Sequence, residues 1–236
     1  MPTRFNGPLL QNDNSRGSRE HLAHLPLSSE DGYISYFNDF LVAADYAAAN
    51  WVITTTEDGT GSATEALAAD EIGGALLLTN ADADNDLDSL QATEETWALG
   101  DEKRLWFSCR AKVAGAATVD AFIGLAITDT TTLVTSDRVG FQISAGDASI
   151  LCISEKDATE TQTDSGADAV DDTYVTLSMY WDGKSKVKFA VDNAVVATHT
   201  TNNPDDENLA ITLHVQNGAA AVNTMTIDYI KVVQER

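Results

Sequence analysis

The stretch that decides the fold of this 236-residue sequence reads Arg104-Leu105-Trp106-Phe107-Ser108-Cys109-Arg110-Ala111-Lys112-Val113. Within it, every second side chain is apolar, and most of the side chains between are polar or basic. Successive residues of a strand point to opposite sides of a sheet, so this alternation predicts a β-strand with one face in a core. We expect Phe107 and Cys109 to be buried, and the opposite face, with Trp106, to be basic and half exposed.

Runs of the same kind occur along most of the chain and are separated by Asp, Gly and Asn residues, which are typical of turns. They are Tyr33–Phe40, Trp51–Thr55, Glu65–Ala68, Ala75–Thr79, Thr118–Ile127, Val139–Ser144, Ser149–Ser154, Tyr174–Trp181, Lys186–Val191, Ala194–Thr200, Leu209–Val215 and Met225–Val233. Residues 174–200 should form a three-strand meander, and the alanine-rich segment Phe40–Asn50 offers one or two helical turns. The sequence therefore predicts an all-β protein, a two-sheet antiparallel jelly-roll sandwich.

The charge distribution divides the chain into two parts. The formal net charge is −23, yet residues 1–25 hold three arginines against two acidic residues and are net +1, which leaves −24 for the rest. Three of the four prolines also lie in this first part. We therefore expect an extended N-terminal arm over residues 1–32 and a sandwich over residues 33–236.

Composition also predicts which partners the protein lacks. So acidic a body repels nucleic acid and anionic lipid, and we expect neither as a partner. The opening residues contain no apolar segment typical of a secretory signal, and runs such as Ala75–Leu78 are too short to cross a bilayer. Cys109 and Cys152 lie in apolar runs and are expected to be free core residues. We expect the protein to be made in a cytoplasm.

An acidic loop suggests a calcium site. Asp84, Asp86 and Asp88 alternate, and Glu95 stands at the twelfth position of the loop, as in an EF-hand. Ser89 replaces the glycine that such a loop needs, so a solvated acidic loop is the alternative. The sequence predicts no other cofactor.

A second acidic motif resembles a catalytic one. Glu155, Asp157 and Glu160 match the E-x-D-x-x-E pattern of a large family of glycosidases built on a concanavalin-like sandwich, whose outer glutamates act as nucleophile and acid/base. Here the motif falls at a strand end and runs into the polar segment Thr161–Gly166, which we expect to be a loop. We therefore predict that the chain is not an enzyme.

Six stretches together resemble structural proteins of tailed bacteriophages that carry a concanavalin/laminin-G-like jelly roll: Tyr36–Phe40, Trp51–Glu57, Leu77–Asp86, Ile127–Thr131, Tyr180–Ser185 and Thr224–Ile230. The resemblance implies a virion component, a decoration protein that binds and stabilises the outer capsid surface after assembly in the cytoplasm of the host bacterium. Its partners would be the major capsid protein and neighbouring copies of itself. The alternative on the same fold is a carbohydrate-binding module that adheres to cell-surface glycans.

Two groups of residues are the candidates for attachment to a capsid. The arm carries arginines, which bind carboxylates with two hydrogen bonds, and apolar anchors. The arm candidates are Arg4, Phe5, Leu9, Leu10, Arg16 and Arg19. The second group is the basic strand face formed by Arg104, Arg110 and Lys112.

Overall fold

The computed structural model describes residues 32–100 and 102–236. In these residues strands predominate, and the helical elements are two 3₁₀ turns, Ala43–Tyr46 and Thr132–Val134. The strands are β1 Tyr33–Asn38, β2 Trp51–Thr56, β3 Thr64–Leu67, β4 Leu76–Thr79, β5 Leu87–Ala92, β6 Trp97–Ala98, β7 Leu105–Ala114, β8 Val119–Ala126, β9 Arg138–Ile143, β10 Ser149–Lys156, β11 Thr159–Asp168, β12 Val175–Trp181, β13 Val187–Val191, β14 Ala194–His199, β15 Asn208–Asn217 and β16 Thr224–Glu235.

These strands form two antiparallel sheets packed face to face, which confirms the predicted jelly-roll sandwich. The first sheet has the order β14-β13-β12-β7-β16-β4-β3, and β1 also pairs with β16. The second sheet has the order β11-β10-β9-β8-β15-β5-β2, and β6 also pairs with β15. Among the described residues, no helix is long and apolar enough to cross a membrane.

The core begins at β7, as the alternation predicts. Phe107 is 1% exposed and Cys109 is fully buried. Phe107 lies opposite Met179 of β12 and Val232 of β16, both of which are also buried. Cys109 and Cys152 are free and buried, and burial raises the pKa of both thiols, so each behaves as a small apolar side chain.

Three local expectations were wrong. Residues Thr161–Gly166 are not a loop but part of β11, a polar edge strand whose side chains alternate between exposed and half-buried. Trp106 is only 4% exposed, because it packs with Tyr33, Tyr180 and Val233 on the outer face of the first sheet. The acidic segment after Asp86 is also a strand, β5, because Leu90 anchors it in the core.

The predicted arm lies outside the described residues except for Gly32. The boundary between arm and sandwich therefore stays a prediction.

Candidate functional site

The outer face of the second sheet is filled by its own side chains. Phe122 and Ile153 are fully buried there, and His214 is 1% exposed. The Phe122 ring lies over two paired glycines, Gly124 and Gly140, where a Cβ would come within 2.7 Å of neighbouring backbone atoms. The middle of this sheet is therefore packed rather than open to a ligand.

The second 3₁₀ turn covers the polar part of the same face. The Thr132 hydroxyl lies 3.0 Å from His214 Nδ1 and 3.1 Å from the Ser89 hydroxyl, and all three residues are buried. Burial lowers the pKa of His214 to about 4. His214 is therefore a neutral structural residue under this turn.

The glycosidase-like motif is on a β-hairpin. Glu155 of β10 lies directly opposite Glu160 of β11, and Asp157 occupies the connecting turn with a positive φ of 51°. Arg138 donates to both glutamates at 2.7 Å and is itself buried. The three carboxylates therefore do not share one face of one strand, and the outer two hold a buried guanidinium.

The residues of the predicted calcium loop do not converge. Asp86 accepts hydrogen bonds from backbone nitrogens of Asp58 and Ala83 at 2.6 and 2.7 Å, whereas Glu95 accepts one from Thr128 at 2.6 Å. Asp88, the second residue of β5, points between the sheets, and Asp84 lies in the turn before the strand. Within residues 32–100 and 102–236, no group of three His, Cys, Asp or Glu side chains is placed to hold a metal ion.

Asp88 is the most unusual charged group in the described chain. It is fully buried, and neither carboxylate oxygen has a hydrogen-bond partner among the described residues. Burial, together with the negative charges of Glu65 and Glu57, raises its pKa to about 8. Asp88 is therefore largely protonated at neutral pH.

The basic strand face is neutralised by neighbouring carboxylates. Salt bridges join Arg104 to Glu235, Arg110 to Asp228 and Lys112 to Glu71. The Arg110 guanidinium also lies 4.0 Å from the centre of the Tyr174 ring. The six arm candidates, Arg4, Phe5, Leu9, Leu10, Arg16 and Arg19, lie outside the described residues.

An open groove runs along the edge of the sandwich where β1 and β6 face each other. It consists of two hollows of about 370 and 440 Å³ that share Thr96 and are here called the Thr96 groove. The first hollow is lined by Tyr36, Phe37, Asn38, Asp45, Asn50, Ala92, Thr93, Glu94, Thr96, Trp97 and Ile211. The second is lined by Ile34, Thr96, Ala98, Gly100, Lys103, Asn208, Gln234, Glu235 and Arg236. Each volume is typical of a small-ligand site.

The first hollow combines a half-buried ring with unused polar groups. The ring is that of Tyr36, which lies with Ile34 on the side of β1 that packs against the core, whereas the Phe37 ring lies near Tyr229 on the opposite side of β1. Four further lining side chains are exposed and make no hydrogen bond to any described residue: Asn50, Thr93, Glu94 and Thr96. They supply an amide, two hydroxyls and a carboxylate, so the hollow can both donate to a ligand and accept from it.

The floor of the first hollow is fixed by backbone contacts. The carbonyl oxygen of Asp45 accepts hydrogen bonds from Asn38 Nδ2 and from Trp51 Nε1, each at 2.9 Å. The amide oxygen of Asn38 in turn accepts from the Phe40 nitrogen at 2.9 Å. These contacts tie the first 3₁₀ turn to β1 and β2, so the hollow is formed before a ligand arrives.

The comparisons with known proteins show the fold. No protein-family model and no curated protein matches the chain. Among solved structures, a protein of unknown function from Shewanella oneidensis MR-1 is 16% identical, with a TM-score of 0.62 over 98% of this chain and 97% of its own. An endo-1,3-β-glucanase from Streptomyces sioyaensis is 15% identical, with a TM-score of 0.62 over 88% and 98%. The carbohydrate recognition domain of Emp46p is 12% identical, with a TM-score of 0.54 over 83% and 93%.

These structures correct the prediction that the chain is not an enzyme. Endo-glucanases of glycoside hydrolase family 16 share the sandwich over 84% of this chain at 12–13% identity. The fold is therefore one on which glycoside hydrolysis takes place in other proteins. Of the resemblance to bacteriophage structural proteins, the concanavalin-like jelly roll is confirmed.

Proposed function

We propose that the protein binds a glycan in the Thr96 groove. The observation that carries this proposal is the first hollow, whose lining holds the half-buried ring of Tyr36 and four polar side chains without partners in the described chain. A sugar ring has apolar C–H groups on its faces and hydroxyls around its rim. An aromatic face suits the former, and the amide, hydroxyl and carboxylate groups suit the latter.

The fold comparisons support this proposal over the capsid role predicted from sequence. Similar structures include a glucanase and a carbohydrate recognition domain. Four polar side chains of the first hollow have no partner among the described residues, whereas the basic strand face has its charges satisfied within the chain. Attachment to a virion as a decoration protein is a further proposal, which purification of virions and measurement of the copy number of this chain would test.

The experiment measures binding of soluble oligosaccharides by calorimetry. Thr93→Ala should weaken binding about three- to tenfold, because the sugar loses a hydrogen bond to an exposed hydroxyl of the first hollow. Thr200→Ala is the matched control, since Thr200 is also exposed but lies outside the groove. If the two substitutions have equal effects, glycan binding does not take place in this groove.

The same oligosaccharides are to be assayed for release of reducing ends. The first hollow contains two carboxylates, Asp45 and Glu94, and glycoside hydrolysis generally needs a pair of carboxyl groups. Turnover that is lost in Glu94→Gln would assign hydrolysis to this hollow. Binding without turnover would leave the groove as a recognition site.

A further inference from the structure

The second hollow of the Thr96 groove differs from the first in charge. Its lining includes Lys103 and Arg236, both exposed. The carboxylate in its lining, Glu235, is bound by Arg104, and Gln234 uses its amide on the backbone of Ala98. The unused polar groups of this hollow are therefore chiefly cationic.

The sheet register brings the two cations to the same end of the first sheet. Leu105 of β7 lies opposite Gln234 of β16, and the Glu235 nitrogen donates to the Arg104 oxygen at 3.0 Å. Lys103 and Arg236 are the next residues of the two chain segments, and both line this hollow.

Hydrogen bonds to backbone oxygens fix the main chain at or next to both cations. The Arg236 nitrogen donates to the Gly32 oxygen at 3.0 Å, and Arg236 Nε donates to the Tyr33 oxygen at 3.2 Å. On the other strand, the Glu102 nitrogen donates to the Gly183 oxygen at 2.6 Å, which fixes the residue before Lys103. The Lys103 ammonium itself makes no hydrogen bond to any described residue.

The charge balance of this hollow is opposite to that of the protein. Its lining carries two positive charges, on Lys103 and Arg236, against one negative charge, on Glu235, which leaves +1 in a chain of net −23. At physiological salt, charges beyond about 8 Å are largely screened, so the nearest cations dominate. An anionic group between Lys103 and Arg236 would relieve their repulsion.

We infer that the second hollow binds the anionic group of an acidic sugar, a uronate carboxylate or a sulfate ester, while the first hollow holds a neutral part of the same chain. This inference rests on the proposed glycan binding and names its substrate class. The glycan would lie along the sandwich edge with its acidic residue at the ends of β7 and β16. Thr96, common to both hollows, would contact the sugars between.

The test compares three oligosaccharides of equal length: a neutral glucan fragment, its sulfated derivative and an oligogalacturonate. Calorimetry at 0.15 M salt should show tighter binding of at least one anionic chain than of the neutral chain. Lys103→Gln should weaken that anionic chain about three- to tenfold, because it removes a charge-assisted hydrogen bond at an exposed site, and should weaken the neutral chain clearly less. The anionic chain that responds identifies the group as carboxylate or sulfate.

One control variant and the pattern of binding separate the possible failures. Lys188→Gln makes the same change of charge on β13, outside the groove, and should alter neither affinity. If neutral and anionic chains bind equally, with Thr93→Ala weakening both, the inference of an acidic subsite is overturned while glycan binding stands. If none of the three chains binds, both proposals are overturned.

Discussion

Replacement of Asp88 by Asn should stabilise the protein at alkaline pH and have little effect at acidic pH. Asp88 lies between the sheets, opposite Thr55 and Val215, and both its oxygens lack hydrogen-bond partners among the described residues. Its pKa of about 8 in the folded protein compares with about 3.8 in an unfolded chain. The folded state therefore retains a proton that the unfolded state loses.

The sign and size of the effect follow from this difference. A group whose pKa is raised on folding contributes fully to stability at pH values below its pKa in the unfolded chain. This contribution is lost as the pH rises through its pKa in the folded protein. A difference of one pKa unit corresponds to about 1.36 kcal/mol. The free energy of unfolding of the wild type should therefore fall by at most about 5 kcal/mol between pH 4 and pH 8. Asn does not titrate, and Asp88→Asn should recover most of this loss at pH 8.

The assay is urea unfolding followed by tryptophan fluorescence at pH 4.5, 6 and 8. Glu65→Gln should reproduce part of the gain, because it removes the nearest negative charge that acts on Asp88. Asp86→Asn is the matched control and should destabilise the protein instead, since Asp86 is also buried but accepts two backbone hydrogen bonds. A difference between wild type and Asp88→Asn that does not change with pH would refute the reasoning.

Three further predictions concern the core, the acid side of the pH profile and the arm. Phe107→Ala should destabilise the fold by about 3–5 kcal/mol in urea unfolding, and Trp106→Ala should cost at least about 3 kcal/mol, because Trp106 is also buried. His214 is buried as the neutral form, so its stabilising contribution should be lost as the pH falls from 6.5 toward 4, by up to about 3 kcal/mol; urea unfolding of His214→Asn should lack this part of the pH dependence. Deletion of residues 2–25 should leave the sandwich folded by circular dichroism but reduce occupancy on undecorated capsids, and unchanged occupancy would refute the attachment role of the arm.

Sequence reasoning identified the sandwich because its signal is local. The alternation in β7 assigns each side chain of Leu105–Ala114 to a face, and the structure places Phe107 and Cys109 inside and Arg104, Arg110 and Lys112 outside. The same rule would have found β5. Asp88 is in phase with the core residue Leu90, but its carboxylate made the segment resemble a loop. The acidic residues led to the interpretation as a loop, although the periodicity indicates a strand.

The groove could not be found in the same way. Its lining comes from β1, the segments after the first 3₁₀ turn and after β5, and the ends of β7, β15 and β16, which are far apart in sequence. Periodicity shows which face a residue occupies, not which distant strand ends meet. Of the sequence candidates within the described part of the chain, Arg104 adjoins the groove through its salt bridge to Glu235.

Glycan binding and attachment to a capsid would use neighbouring but separate parts of the chain. The predicted arm would join the sandwich at Gly32, whose oxygen accepts the hydrogen bond from the Arg236 nitrogen at the end of the second hollow. An arm bound to another subunit would therefore leave the sandwich beside the groove and orient that groove relative to its support. Thr93 and Glu94 line the other hollow. Glycan affinity and capsid occupancy are therefore to be measured separately.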